Sequence, residues 1–285
     1  MSRAVLIVVA ADAASGCVAK RTPAWVAPAL PFGAVSEQIL RDLVSAGDYA
    51  WQRRAEPGQL DEAARAWGAA LRYDPSDEKV LVQLARVALR RASTSRGAGA
   101  AERLDEATGY AERALSARNS KLLDAARAGK LPAAVFSLAE PADAPALAVY
   151  AEALLGWSLA HGTSTLLGKR AWIEAAAQRA LAFDPAVGQA APNRVLGVLD
   201  CELPEAGQNL RDALDRFEAA VAAAPAYLPT RVAYAEEYAT RVRDAVLYKR
   251  LLGEVLAADA NALPAAAPEN ADAQRAARRL LRGRR

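Results

Sequence analysis

The sequence is short of the residues that most often carry chemistry. It has one histidine, His161, and two cysteines, Cys17 and Cys201, in 285 residues. A single histidine excludes a multi-histidine metal site and leaves no spare parts for a histidine-based triad. His161 is read as a helix-end cap or solvent contact. No GxxxxGK[ST] or GxGxxG phosphate loop occurs. Glu236 and Glu237 are adjacent, so they point to different parts of a helix surface and read as solvated carboxylates, not an acid–base pair. An enzyme would need its chemistry from scattered carboxylates, and no metal or cofactor is expected. The formal net charge of +3 gives no electrostatic footprint for nucleic acid. The basic C-terminal run RRLLRGRR reads as a solvated helix end, and the excess of arginine over lysine as compositional bias. No stretch reaches the ~18 consecutive apolar residues of a spanning helix. Aromatics and β-branched runs are scarce, while alanine and leucine abound, which predicts an all-α protein.

What is there is a recurring half-repeat. In RDALDRFEAAVAAAP, Ala213, Phe217 and Ala220 share one helical face, and Pro225 ends the helix. Small, large, small, proline is the second half of a tetratricopeptide repeat. Small residues let two helices approach, the aromatic fills the groove, and the proline sets the turn. Ala63, Trp67, Ala70 and Pro75 repeat the spacing. Looser copies run from 107 to 115 and from 173 to 185. Four divergent copies predict stacked helical hairpins, an α-solenoid or compact superhelix, because no hairpin can bury its own face alone.

Along the chain, helical pattern starts near Ser36. The segment Tyr49 to Arg54 is expected to partner a helix from Gln59 to Leu71. An amphipathic helix is predicted over Asp77 to Arg91, then a loop over Ser93 to Ala100. Arg118 to Pro145 reads as an irregular insertion with one short helix at Ser120 to Ala128, of the kind that often lies on a binding or oligomer face. Helices follow at Ala146–His161, Arg170–Pro185, Asn193–Leu199, Thr230–Arg241 and Asp244–Ala258. Pro268 to Arg282 reads as a polar terminal cap for an open stack.

The N-terminus resembles a bacterial lipoprotein signal. Arg3 precedes the apolar core AVLIVVAA, and Ser15-Gly16 precede Cys17. The division expected is a signal peptide over 1–16, a proline-rich tether or strap over 17–35, and a repeat domain over 36–285. Cys17 would carry lipid and hold the protein on a membrane surface outside the cytoplasm. The alternative is a buried N-terminal segment with a free cysteine. Cys201 is left without a disulfide partner and, with no base in evidence, reads as a small packed residue.

From Val149 onward the chain resembles the T-component proteins of TRAP (tripartite ATP-independent periplasmic) transporters. The segments that carry the resemblance are VYAEALLGWSLA, RALAFDP, LPEAGQNLRDALDRFEAAV, RVAYAEEYATRVRDAVLYKRLLGEVLAAD and ENADAQRAARRLL. EAARAWGAALRYDP and DEATGYAERAL match more loosely. The resemblance implies a periplasmic helical lipoprotein that forms homotrimers and associates with the transporter's periplasmic solute-binding protein. It also implies a hydrophobic channel as a ligand route, and no catalysis.

Tyr150, Trp157, Tyr234 and Tyr238 are the candidates for lining such a channel, since aromatic faces suit apolar ligands. The plainer reading of the four is core between helices. The function expected is a lipid-anchored accessory component that docks the solute-binding protein and channels a small apolar or organic-acid ligand. A generic lipoprotein scaffold for envelope assembly or secretion shares every feature except the specific resemblance. A cytosolic repeat adaptor follows if the N-terminus is no signal.

Overall fold

The structure is a computed structural model that describes residues 19–26, 37–203 and 209–283. The signal-like segment and Cys17 lie outside the described residues. Among these there are thirteen α-helices and no strand, as expected of an all-α protein. The first hairpins are α1 (Glu37–Gln52) with α2 (Gln59–Ala70), and α3 (Glu78–Thr94) with α4 (Ala98–Arg118). α5 (Ser120–Arg127) and α6 (Pro132–Phe136) follow. α7 (Ala144–Ala160) is the central helix and packs on α3, α4, α8 (Thr163–Phe183) and α9 (Val187–Glu202). α9 pairs with α10 (Asn209–Ala223), and α11 (Pro229–Ala233), α12 (Ala245–Ala257) and α13 (Ala267–Arg282) complete the chain.

Several boundaries differ from the sequence reading, each for a local reason. Tyr49 to Arg54 is not a separate helix: α1 runs through Gln52, and Arg53 and Arg54 form the turn. The expected loop over Ser93 to Ala100 shrinks to three residues, because Gly97 at φ 55° turns the chain sharply into α4. The insertion after Arg118 is ordered. Asn119 caps α5 by accepting from Leu122 N at 3.1 Å and donates from Nδ2 to Leu138 O at 2.8 Å. Val135 and Phe136 then plug into the core. α11 continues as a π-helix over Tyr234–Ala239, where an α-helix was expected.

The half-repeat residues sit at the helix seams. Ala63, Trp67, Ala70, Ala213, Phe217 and Ala220 are all buried, while Pro75 and Pro225 lie in the turns that follow α2 and α10. Each buried aromatic rests on a glycine of the preceding helix. Trp67 covers Gly47 of α1, and Phe217 covers Gly197 of α9, where an added Cβ would stand 3.1 Å from the ring. In both hairpins the glycine precedes the aromatic by 20 residues. In these two hairpins helix approach is thus set by a ring on a glycine.

Within the segment read as tether or strap, residues 19–26 lie along the body. Ala19 N donates to Thr165 Oγ1 at 3.1 Å, and Arg21 pairs with Asp105 and Glu112, each at 2.5 Å. Trp25 is buried with its ring 5.7 Å from Tyr150 and 5.5 Å from Trp172. Burial pushes the Glu112 carboxyl up, opposed by Arg21.

The seams make a paired prediction. Gly47→Ala should lower stability by about 1–3 kcal/mol in urea denaturation, because its methyl would enter the Trp67 indole. Gly253→Ala, in open space on α12, should raise it by about 1 kcal/mol through helix propensity. A second prediction concerns pH. Asp200 of α9 is half-buried, and its carboxyl is pushed up to about 6 by burial, against the pull of Arg216. A carboxyl raised from 3.8 on folding contributes stability below pH 3.8 that is lost as pH rises through about 6. Asp200→Asn should therefore stabilise by about 1 kcal/mol at pH 8, after allowance for solvent screening, and by nothing near pH 4.

Candidate functional site

α13 does not cap an open stack. It packs on α11 and α12, buries Asn270, Ala273, Ala276 and Ala277, and sends Glu269 and Asp272 back to the first hairpins. The closure is ionic. Arg54, just past α1, donates from Nε to Glu269 Oε1 at 2.9 Å and from Nη2 to Glu269 Oε2 at 2.6 Å. It also donates to Ala265 O at 2.5 Å. Arg90 of α3 reaches Glu269 at 3.8 Å and pairs with Asp272. This bidentate geometry suits a guanidinium and fixes the two ends of the chain 215 residues apart.

Between these elements lies a cavity of about 500 Å3, walled by α3, α7, the start of α9, the turn at Tyr227 and α13. That volume falls within the range of small-molecule sites. Arg54, Arg86, Arg90, Arg194, Arg275 and Arg279 line it, against Glu152, Glu269 and Asp272, a formal excess of three positive charges. Trp51, Leu89, Val149, Ala148 and Ala191 supply apolar wall.

The electrostatics follow from burial. Arg194, 2% exposed, donates to Glu152 at 3.0 Å and to the Gln189 carbonyl at 3.1 Å. Burial depresses its pKa, but Glu152 and Tyr227 together outweigh that and raise it. Its guanidinium stands 5.1 Å from the Tyr227 ring centroid. Burial pushes the Tyr227 hydroxyl up to about 12 despite the pull of Arg194. Arg86 and Arg90 are both held below the ordinary arginine value, chiefly by desolvation.

One wall is strained. Gly188, Gln189 and Ala190 take three successive left-handed conformations, φ 59°, 61° and 59°, at the start of α9. Glycine is at ease there, but Gln189 and Ala190 are not, and each costs on the order of 1–2 kcal/mol. The turn aims the Gln189 carbonyl at Arg194.

The aromatic candidates lie elsewhere. Tyr150 joins Trp25, Phe136 and Trp172 in a ring cluster with centroids 5.5–5.7 Å apart. Trp157 packs on His161, whose Nδ1–H donates to the Trp157 carbonyl at 2.7 Å, a helix-end contact as read. Tyr234 stacks on Phe217 at 5.1 Å and touches Tyr238 at 5.6 Å. None of the four lines the 500 Å3 cavity. Cys201 is buried, and burial pushes its thiol up to about 12, which makes it a poor nucleophile at neutral pH. No group of three metal-ligating side chains occurs among the described residues.

The cavity arginines were missed because they come from separate parts of the chain, the α1 turn, α3, α9 and α13. Arg279 belongs to the helix end read as solvated, and Arg275 to the helix read as a polar cap. The usable signal was Arg86 and Arg90, four apart on the apolar-striped α3. For the central pair, Arg194→Met should cost about 2–3 kcal/mol in urea denaturation by stranding Glu152, and adding Glu152→Met should restore part of the loss.

No curated protein matches the chain. A family model, the TRAP transporter T-component, matches residues 90–285. The match runs from Arg90 through α4 to α13 and takes in every cavity wall except the α1 turn and most of α3. The recurrent hairpins, the aromatic seams and this match over more than half the sequence lead to one conclusion: the chain belongs to the TRAP transporter T-component family.

Proposed function

We propose that the protein is a non-enzymatic, lipid-anchored accessory component of a TRAP-type solute transport system. It docks the periplasmic solute-binding protein and takes up a small ligand in the arginine-lined cavity. The observation that carries this reading is the cavity itself, enclosed largely by the family-matched segment and closed by α13. The lipid anchor rests on the pattern ahead of Cys17. No described helix is long and apolar enough to cross a membrane, so acylation would supply the attachment. A homotrimer, as the family resemblance implies, is part of the proposal.

The test begins with protein purified from the membrane fraction. Intact mass should match a chain starting at acylated Cys17, and native mass should correspond to three such chains. Cross-linking in cells should retrieve a solute-binding protein of the TRAP type. A mass that retains Met1 would remove the envelope reading and leave a cytosolic adaptor. An acylated chain that retrieves no solute-binding protein would leave a general envelope scaffold.

A further inference from the structure

The carboxylates of the cavity are all engaged. Glu152 binds Arg194, Glu269 binds Arg54 and Arg90, and Asp272 binds Arg90 and Arg275. Among the described residues, two lining arginines have no carboxylate within 4.0 Å, Arg86 and Arg279. Arg279 is exposed on the last turns of α13, where water serves it. Arg86 is not so placed. It stands on α3 in the cavity wall, partly buried, and desolvation holds its pKa down. Its hydrogen bond is from Nη1 to the neutral Gln83 Oε1 at 3.0 Å. Glu152 acts on it only across space.

A guanidinium carries five N–H donors in a planar fork. A desolvated one without a counter-charge is a costly arrangement unless an anion completes it. The surroundings say what kind of anion. Tyr227, a lining residue whose ring lies 5.1 Å from the Arg194 guanidinium, offers a phenolic donor whose proton is firmly held. Leu89, Val149 and Ala148 supply an apolar wall beside the charge. The excess of three positive charges disfavours a cationic ligand, and an uncharged one would leave Arg86 uncompensated.

We infer that the cavity binds an amphiphilic oxyanion, an apolar body carrying one anionic head group, with Arg86 as the group that receives the head. The inference rests on the cavity being the ligand site, and not on the docking partner. A carboxylate and a phosphate monoester share the required fork-matching oxygens. A single head is favoured because one partly buried guanidinium lacks a carboxylate within 4.0 Å. A small dicarboxylate would bring a second charge and no apolar body to fill the wall.

The test is calorimetric titration of the full chain with decanoate, decyl phosphate, decanol and succinate. Decanoate or decyl phosphate should bind at least about tenfold more tightly than decanol, the scale of a charge-assisted hydrogen bond, and more tightly than succinate. The tighter of the two decyl anions identifies the head group. Arg86→Gln should weaken the anion about tenfold or more and leave decanol unchanged, while Arg250→Gln, exposed on α12 outside the cavity, should change neither by more than about threefold. Should Arg86→Gln fold poorly by circular dichroism, Arg86→Lys serves instead: it keeps the charge but loses the fork, and should weaken the anion while sparing decanol. Equal binding of decanol and decanoate, no binding of either decyl anion, or unchanged anion affinity in the Arg86 variant would overturn the inference. Cross-linking to a solute-binding protein is scored separately, so loss of the docking reading and loss of this one are distinguishable.

Discussion

The fold depends on how closely neighbouring helices can approach. An alanine-rich helix has little side chain to bury, so its stability must come from tight seams repeated along the stack. The seams are made by opposing a large ring to a residue with almost no side chain. Trp67 rests on Gly47 and Phe217 on Gly197. Here glycine's cost in helix propensity is set against contact that no other residue would allow. Because the small and large partners lie on different helices of a hairpin, the constraint also fixes the register of one helix on the other.

The stack then needs ends. A row of hairpins leaves an uncovered face at each terminus. At one side, Trp25 and the Arg21–Glu112 pair bring the chain's early residues down onto α4 and the ring cluster. At the other, α13 folds back so that Glu269 and Asp272 meet Arg54 and Arg90. Ionic closure has a consequence that apolar closure would not. It leaves a space lined with guanidinium groups in place of a filled core, and two of those groups, Arg86 and Arg279, without a carboxylate.

The strained turn over Gly188–Ala190 belongs to the same space. Left-handed backbone at two non-glycine residues persists only where surrounding packing holds it. Here Ala190 is buried and the Gln189 carbonyl is held by Arg194. Preorganised strain beside a polar cavity is the arrangement expected of a wall that must present a fixed shape. Arg194 links the turn to Glu152 of α7, so the central helix and the strained wall share one guanidinium.

The sequence by itself determined the fold class and the hairpin repeat, because these follow from short-range periodicity, while the family rested on the resemblance of whole segments. Spacings of three, four and five residues put Ala63, Trp67 and Ala70 on one face whatever the rest of the chain does. It also marked His161 as a helix-end residue and Cys201 as a packed one. It did not disclose the glycine partners at Gly47 and Gly197, which lie a full helix away from the rings they carry. Nor did it disclose the cavity. Arg54, Arg86, Arg194 and Arg279 are far apart in sequence and each resembles an ordinary surface arginine on its own helix. Only the return of α13 across the first hairpins makes them neighbours, and only that closure distinguishes an arginine with a counter-charge from one without. Local pattern sets which face of a helix is apolar, whereas the company of a charge is a long-range property that tertiary structure alone decides.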